Sequence, residues 1–132
     1  MFSKGAIFEA SFTVSETVYN GFISIFKDQN PLHTNEQFAK GKGFENKVMH
    51  GNILGGFLSY FIGECLPTKN VIIHSQEIKY SKPVYLNDDL LLKATVNEVY
   101  ESVNAIEFKY NFLKKESMVV VAKGKIQIGL FV

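Results

Sequence analysis

An α+β fold is the class the sequence predicts, with an antiparallel sheet packed around one buried helix. The segment HGNILGGFLSYFIGECL, His50 to Leu66, carries Ile53, Leu54, Phe57, Leu58, Phe61 and Ile62 and no charge until Glu64. As a helix it is apolar almost all round, so it must be buried. After Pro67 the chain becomes a run of strand-like segments separated by polar breaks at hairpin spacing. One further strand-like segment, AIFEASFTV, lies near the start. A strand, a buried helix and then antiparallel strands pack most simply with the sheet wrapped around the helix Gly51 to Glu64.

In AIFEASFTV, Ala6 to Val14, Ile7 and Glu9 share one face and Phe8, Ala10 and Phe12 the other, the period of a strand. The period then changes. Val18, Phe22 and Ile25 recur at helical spacing with Tyr19, Ile23 and Phe26 beside them, and Ser15 is placed to cap this helix. Pro31 stops it near Asp28 to Asn30, because the residue before a proline is driven out of the helical region and proline cannot donate the next backbone bond. Asn35 is placed to cap a short helix through Phe38 and Ala39, followed by the loop KGKGFENK. Gly55 and Gly56 cost the central helix about 1 kcal/mol each relative to alanine, which suggests that something packs on the backbone there. In the strand region Ile106, Phe108, Tyr110 and Phe112 alternate with Glu107, Lys109 and Asn111, and Ala122, Gly124, Ile126 and Ile128 repeat the pattern. One face of the sheet is therefore covered.

The 132 residues suit one domain spanning 1–132, long enough to bury a core unaided. With 46% apolar and 20% charged residues the chain reads as globular, not disordered or membrane-embedded. No stretch approaches the ~20 apolar residues of a membrane span. The N-terminus lacks the apolar run of a signal peptide, since Glu9 interrupts the only candidate. A cytoplasmic protein is expected. The net charge is +1, and the lysines are scattered among carboxylates along the chain, so nucleic acid is not the expected partner. Cys65, the only cysteine, excludes an internal disulfide and reads as a small core residue.

The stretch FKDQNPLHTNEQFAK sets an acid, Asp28, and an imidazole, His33, on either side of the Asn-Pro break. A negative charge at the C-terminal end of a helix is disfavoured by up to ~1 kcal/mol. Imidazole is the side chain that titrates nearest neutrality. In a continuous helix five residues would separate the two groups, but the break at Pro31 lets the chain fold back so that both face one cleft. A turn aspartate and a surface histidine are the plainer reading of the same spacing. His50 and Gly51 open the buried helix, whose first-turn N–H groups form a site for developing negative charge, and Gly51 leaves that backbone open to a ligand. His50 itself reads as a cap or a core histidine, and His74 as an ordinary strand residue. No metal is expected, because positions 33, 50 and 74 show no ligand spacing. No GxSxG, P-loop or GxGxxG is present.

The stretches DQNPLH, FENKVMHGNILGGFLS and KPVYLNDDL resemble the MaoC-like dehydratases of the hot-dog fold, and most closely the single-domain (R)-specific enoyl-CoA hydratases. Asp28, Asn30, Pro31 and His33 fill the family's D-x-N-P-x-H motif, and His50, Gly51 and Ser59 match a second block. The resemblance implies a long central helix wrapped by a curved antiparallel sheet, in a homodimer or higher homo-oligomer with active sites at the subunit interface. It implies reversible syn addition of water to a trans-2-enoyl thioester, giving the (R)-3-hydroxyacyl thioester, with no cofactor beyond the carrier of the substrate. His33 would be the base, Asp28 the acid and the Gly51 N–H the oxyanion donor, supported by Asn30, Ser59 and His50. The carrier is coenzyme A or acyl carrier protein. Two other readings stay open, a hot-dog acyl-CoA thioesterase and an acyl-thioester-binding protein without turnover.

Overall fold

The computed structural model describes residues 1–132. Strand β1 (Ile7–Thr13) is followed by helices α1 (Glu16–Phe26), α2 (Pro31–Thr34), α3 (Glu36–Gly41) and α4 (Asn52–Tyr60), then by strands β2 (Val71–Tyr80), β3 (Asp89–Tyr100), β4 (Ala105–Lys114) and β5 (Val120–Leu130). The five strands form one antiparallel sheet in the order β1-β3-β4-β5-β2. Its inner face carries Leu90, Leu92, Ala94 and Val96 of β3, Ile106, Phe108, Tyr110 and Phe112 of β4, and Ala122, Ile126 and Ile128 of β5. Against them pack Ile53, Leu54 and Leu58 of α4 with Phe61 and Ile62 beyond it. Each large apolar side chain so buried contributes about 1.5–3 kcal/mol, which outweighs the glycine cost in α4.

The central helix ends in a π-helical turn, Phe61–Cys65, instead of running regularly to Glu64. Leu66, just past this turn in extended backbone, enters the core, and Cys65, expected inside, is exposed. Helix α1 stops at Phe26, a little earlier than expected, where Lys27 adopts a left-handed conformation and its N–H donates to the Ile23 carbonyl. Its apolar face is wider than the core needs: Tyr19 is buried, while Ile25 and Phe26 stay exposed. A β-carbon at Gly55 would touch Gln76, but none of the chain lies within 4 Å of one at Gly56. The expected packing therefore holds for Gly55 alone.

The link between β2 and β3, residues 81–88, ties the elements around the future site. Val84 accepts from Met49 N–H just before α4, while Val14 N–H donates to Asp88 and the Val14 carbonyl accepts from Asn87. No helix is long and apolar enough to cross a membrane.

Candidate active site

The local sequence around Asp28 builds a rigid corner. Ser15 caps α1 by accepting from Val18 N–H, and the helix unwinds at Lys27. Asn30 then starts α2, its side-chain oxygen accepting from Leu32 N–H and its own N–H donating to Asp28 Oδ1 at 3.1 Å. Pro31 supplies the preset first helical residue that α2 needs. Asn30→Ala removes this cap and is expected to lower the unfolding free energy by about 1 kcal/mol, read as a shift of the urea midpoint.

The fold-back anticipated at Pro31 is present. His33 Nε2 lies 3.9 Å from Asp28 Oδ2. His33 Nδ1 lies 2.7 Å from the Val48 carbonyl, so it carries the proton and donates. Nε2 is thereby turned toward the Asp28 carboxyl group. The gap is too long for a direct hydrogen bond but suits a water held by both groups. His33 is fixed further by the buried Tyr19, whose hydroxyl donates to the His33 carbonyl at 2.6 Å.

His50 is buried beneath this pair. Its Nε2 donates to the Asp28 backbone carbonyl at 2.8 Å, and its ring stacks on His33 with centroids 4.0 Å apart and meets Phe22 tilted at 4.6 Å. Nδ1 is buried without a partner. Burial pushes the His50 pKa down, with the facing His33 acting in the same direction; the Asp28 carbonyl opposes both. His50 is thus a core histidine, as its position suggested, that also anchors the acid's backbone. Because the unfolded chain takes up a proton here before the folded one does, stability should fall as the pH drops below about 6.5. His50→Gln retains a donor and removes the titration, so its urea midpoint should fall less between pH 7.5 and 5 than that of the wild type.

Gly51 precedes α4, which has no side-chain cap, and its N–H donates to no backbone carbonyl. A β-carbon there would come within 2.8 Å of the Tyr80 ring. The bare backbone thus accommodates Tyr80 as well as leaving the N–H free. Asp28, His33, His50, Gly51 and Tyr80 line one cavity of about 560 Å³, walled on its far side by Ser81, Lys82 and Pro83. An adjoining apolar groove of about 620 Å³ runs between α1 and α4, lined by Val18, Gly21, Phe22, Ile25, Gly56 and Phe57, with Asp28 at the junction.

Ser59 is not brought to the pair. It lies two turns along α4, exposed, lining neither cavity. Tyr19 and the Val48 carbonyl do hold His33, and neither was singled out from sequence. A tyrosine on the apolar face of α1 was the available signal, since a buried hydroxyl requires a partner. Ligand-type atoms of Asp28, His33 and His50 lie within 4.8 Å of one another, a proximity that their spacing did not indicate. Carbonyls already engage His50 Nε2 and His33 Nδ1, which leaves His33 Nε2, the buried His50 Nδ1 and Asp28 Oδ2 without a hydrogen-bond partner.

The five-stranded antiparallel sheet wrapped around α4 is a hot-dog fold, and the relatives of the chain are named as hydratases and dehydratases, which are hydro-lyases. Residues 3–116 match the family model described as the MaoC like domain, and the chain belongs to that family. It is 26% identical over 116 residues to an (R)-specific enoyl-CoA hydratase of Rhodospirillum rubrum, covering 88% of this chain and 81% of that relative. It is 31% identical over 80 residues to an (R)-specific enoyl-CoA hydratase of Aeromonas caviae, covering 61% of this chain and 60% of that one. The crystal structure of the (R)-hydratase from A. caviae involved in PHA biosynthesis superimposes with a TM-score of 0.88, at 22% identity over 98% of both chains. This last likeness shows the fold.

Proposed function

We propose that the protein catalyses the reversible syn hydration of trans-2-enoyl thioesters to (R)-3-hydroxyacyl thioesters. One observation carries the reading. His33, whose Nδ1 donates to the Val48 carbonyl, turns its Nε2 toward the Asp28 carboxyl group across 3.9 Å, in a cavity whose wall includes Gly51 at the head of α4. In the hydration direction His33 Nε2 takes a proton from water as its oxygen bonds to the β-carbon, and protonated Asp28 gives a proton to the α-carbon. The imidazolium then returns a proton to the carboxylate, restoring both groups. The thioester oxygen, which gains charge in the enolate-like transition state, is held by the Gly51 N–H. An oxyanion donor of this kind contributes about 3 kcal/mol.

The apolar groove beside α4 suits the acyl chain, and a chain lying in it with its thioester end at Asp28 would bring C2 and C3 next to the acid. Coenzyme A is the carrier proposed, with acyl carrier protein the alternative. A homodimer belongs to the same proposal: β2 is an edge strand, and Ile72 and Tyr80 on it are half-exposed. Pairing there would bring the Tyr80 wall of the cavity to the interface.

The test is loss of conjugated-enoyl absorbance on mixing purified protein with crotonyl-CoA, followed by chiral analysis. Rapid loss with an (R)-product supports the reading. Release of free thiol from saturated acyl-CoA, without hydration, would replace it with the thioesterase. Binding of crotonyl-CoA with neither reaction would leave an acyl-thioester-binding protein.

A further inference from the structure

We propose that the outward face of the sheet is a docking surface for an acidic helix of a partner protein. Lysines scattered along the sequence are gathered on this face by strand register. Lys93, Asn111, Lys123 and Lys79 lie side by side across β3, β4, β5 and β2, and Thr95, Lys109, Lys125 and Glu77 form the adjacent row. All five lysines are exposed and border one shallow depression of about 650 Å³.

Two of the pairs are lysine directly opposite lysine, Lys79 with Lys123 and Lys109 with Lys125. Like charges directly opposed weaken a sheet, so these pairs are unfavourable for folding alone. The nearby carboxylates relieve the strain only partly. Glu107 pairs with Lys125 at 3.6 Å, Glu77 stands opposite the same lysine, and Glu9 stands opposite Lys93 at the β1 edge. Lys79, Lys93, Lys109 and Lys123 form no ion pair within the chain. Beneath them Asn111 Oδ1 is buried without a partner.

The chemistry of the cations and their spacing select the occupant. The chain has no arginine. Phosphate recognition favours the planar fork of arginine, whereas lysines offer movable point charges suited to an array of carboxylates. No large apolar side chain rises from these rows to enter a bilayer. A second copy of the chain set face to face would place lysine on lysine. With strands about 4.8 Å apart, the four-strand row extends about 14 Å. That distance is about nine residues of helix, with carboxylates at i, i+4 and i+7 on one side.

The surface is independent of the proposed reaction, and its failure would leave that reading untouched. The probe is a labelled synthetic helix bearing glutamates at i, i+4 and i+7, titrated by fluorescence anisotropy. The comparison variants are Lys79→Gln/Lys93→Gln/Lys109→Gln/Lys123→Gln and, with the same change in charge, Lys4→Gln/Lys40→Gln/Lys69→Gln/Lys115→Gln. The sheet variant should lose at least about tenfold in affinity and the control less than about twofold, with salt weakening the wild-type complex. The sheet variant should also melt no lower than the wild type and hydrate substrate at the same rate. No binding by the wild type, equal loss in both variants, or a lower melting point in the sheet variant would each overturn the proposal. Tighter binding to phosphatidylserine vesicles or duplex DNA than to the peptide at equal salt would overturn it in favour of a phosphate-reading surface.

Discussion

Asp28→Asn is expected to lower turnover of a trans-2-enoyl thioester by at least about 100-fold, while KM stays within about threefold. The substitution is close to isosteric, and the contacts that position residue 28 survive it. Its backbone carbonyl still accepts from His50, and a side-chain oxygen still accepts from Asn30 N–H. What it lacks is the proton that the proposed reaction delivers to the α-carbon. His33→Ala should reach a similar floor by removing the base. Because both groups serve one addition step, the double variant should fall little below either single one. Unchanged urea midpoints for Asp28→Asn would separate the chemical loss from unfolding. Near-normal turnover by Asp28→Asn would remove its role as the acid.

The motif was legible because its spacing encodes a local event. Asn30 and Pro31 start a second helix just past the left-handed Lys27 that ends α1, and that local turn brings Asp28 toward His33. Residues contributed from elsewhere in the chain were less legible. The Val48 carbonyl fixes the tautomer of His33, yet a backbone acceptor leaves no trace in residue type. Ser59 matched a motif block, but helical phase turns it outward. The same distinction governs the fold. Alternation in β4 and β5 gave the inner face of the sheet, since a period of two is local. That β2 lies at the far edge, beside β5, depends on a crossover that no local pattern specifies. Cys65 shows how one irregular turn limits a periodic reading: it closes the π-helical turn exposed, while Leu66, just beyond it in extended backbone, is buried.

Gly124→Ala is expected to cost about 3 kcal/mol of stability, the upper part of the range for overpacking. Gly124 pairs with Ile78 across β5 and β2, and a β-carbon there would overlap the Glu77 carbonyl oxygen. The obstructing atom is backbone, so no rotamer change relieves the overlap and β2 must move. The Tyr110 hydroxyl, 2.8 Å from the same position, donates to that carbonyl at 2.6 Å. Displacing β2 would strip this buried hydroxyl of its acceptor. Tyr110→Phe, which loses the bond without the overlap, should cost only about 1 kcal/mol. Gly21→Ala supplies the opposite control, because no atom lies within 4 Å of its added carbon and helix α1 should gain up to about 1 kcal/mol. The consequence extends to the site, since β2 runs directly into Tyr80 and the segment to Val84 that walls the cavity and holds Met49. Gly124→Ala should therefore raise KM as well as lower the urea midpoint, the reverse of the Asp28→Asn pattern. A Gly124→Ala protein as stable as the wild type would mean that β2 shifts freely and that this contact does not set the cavity wall.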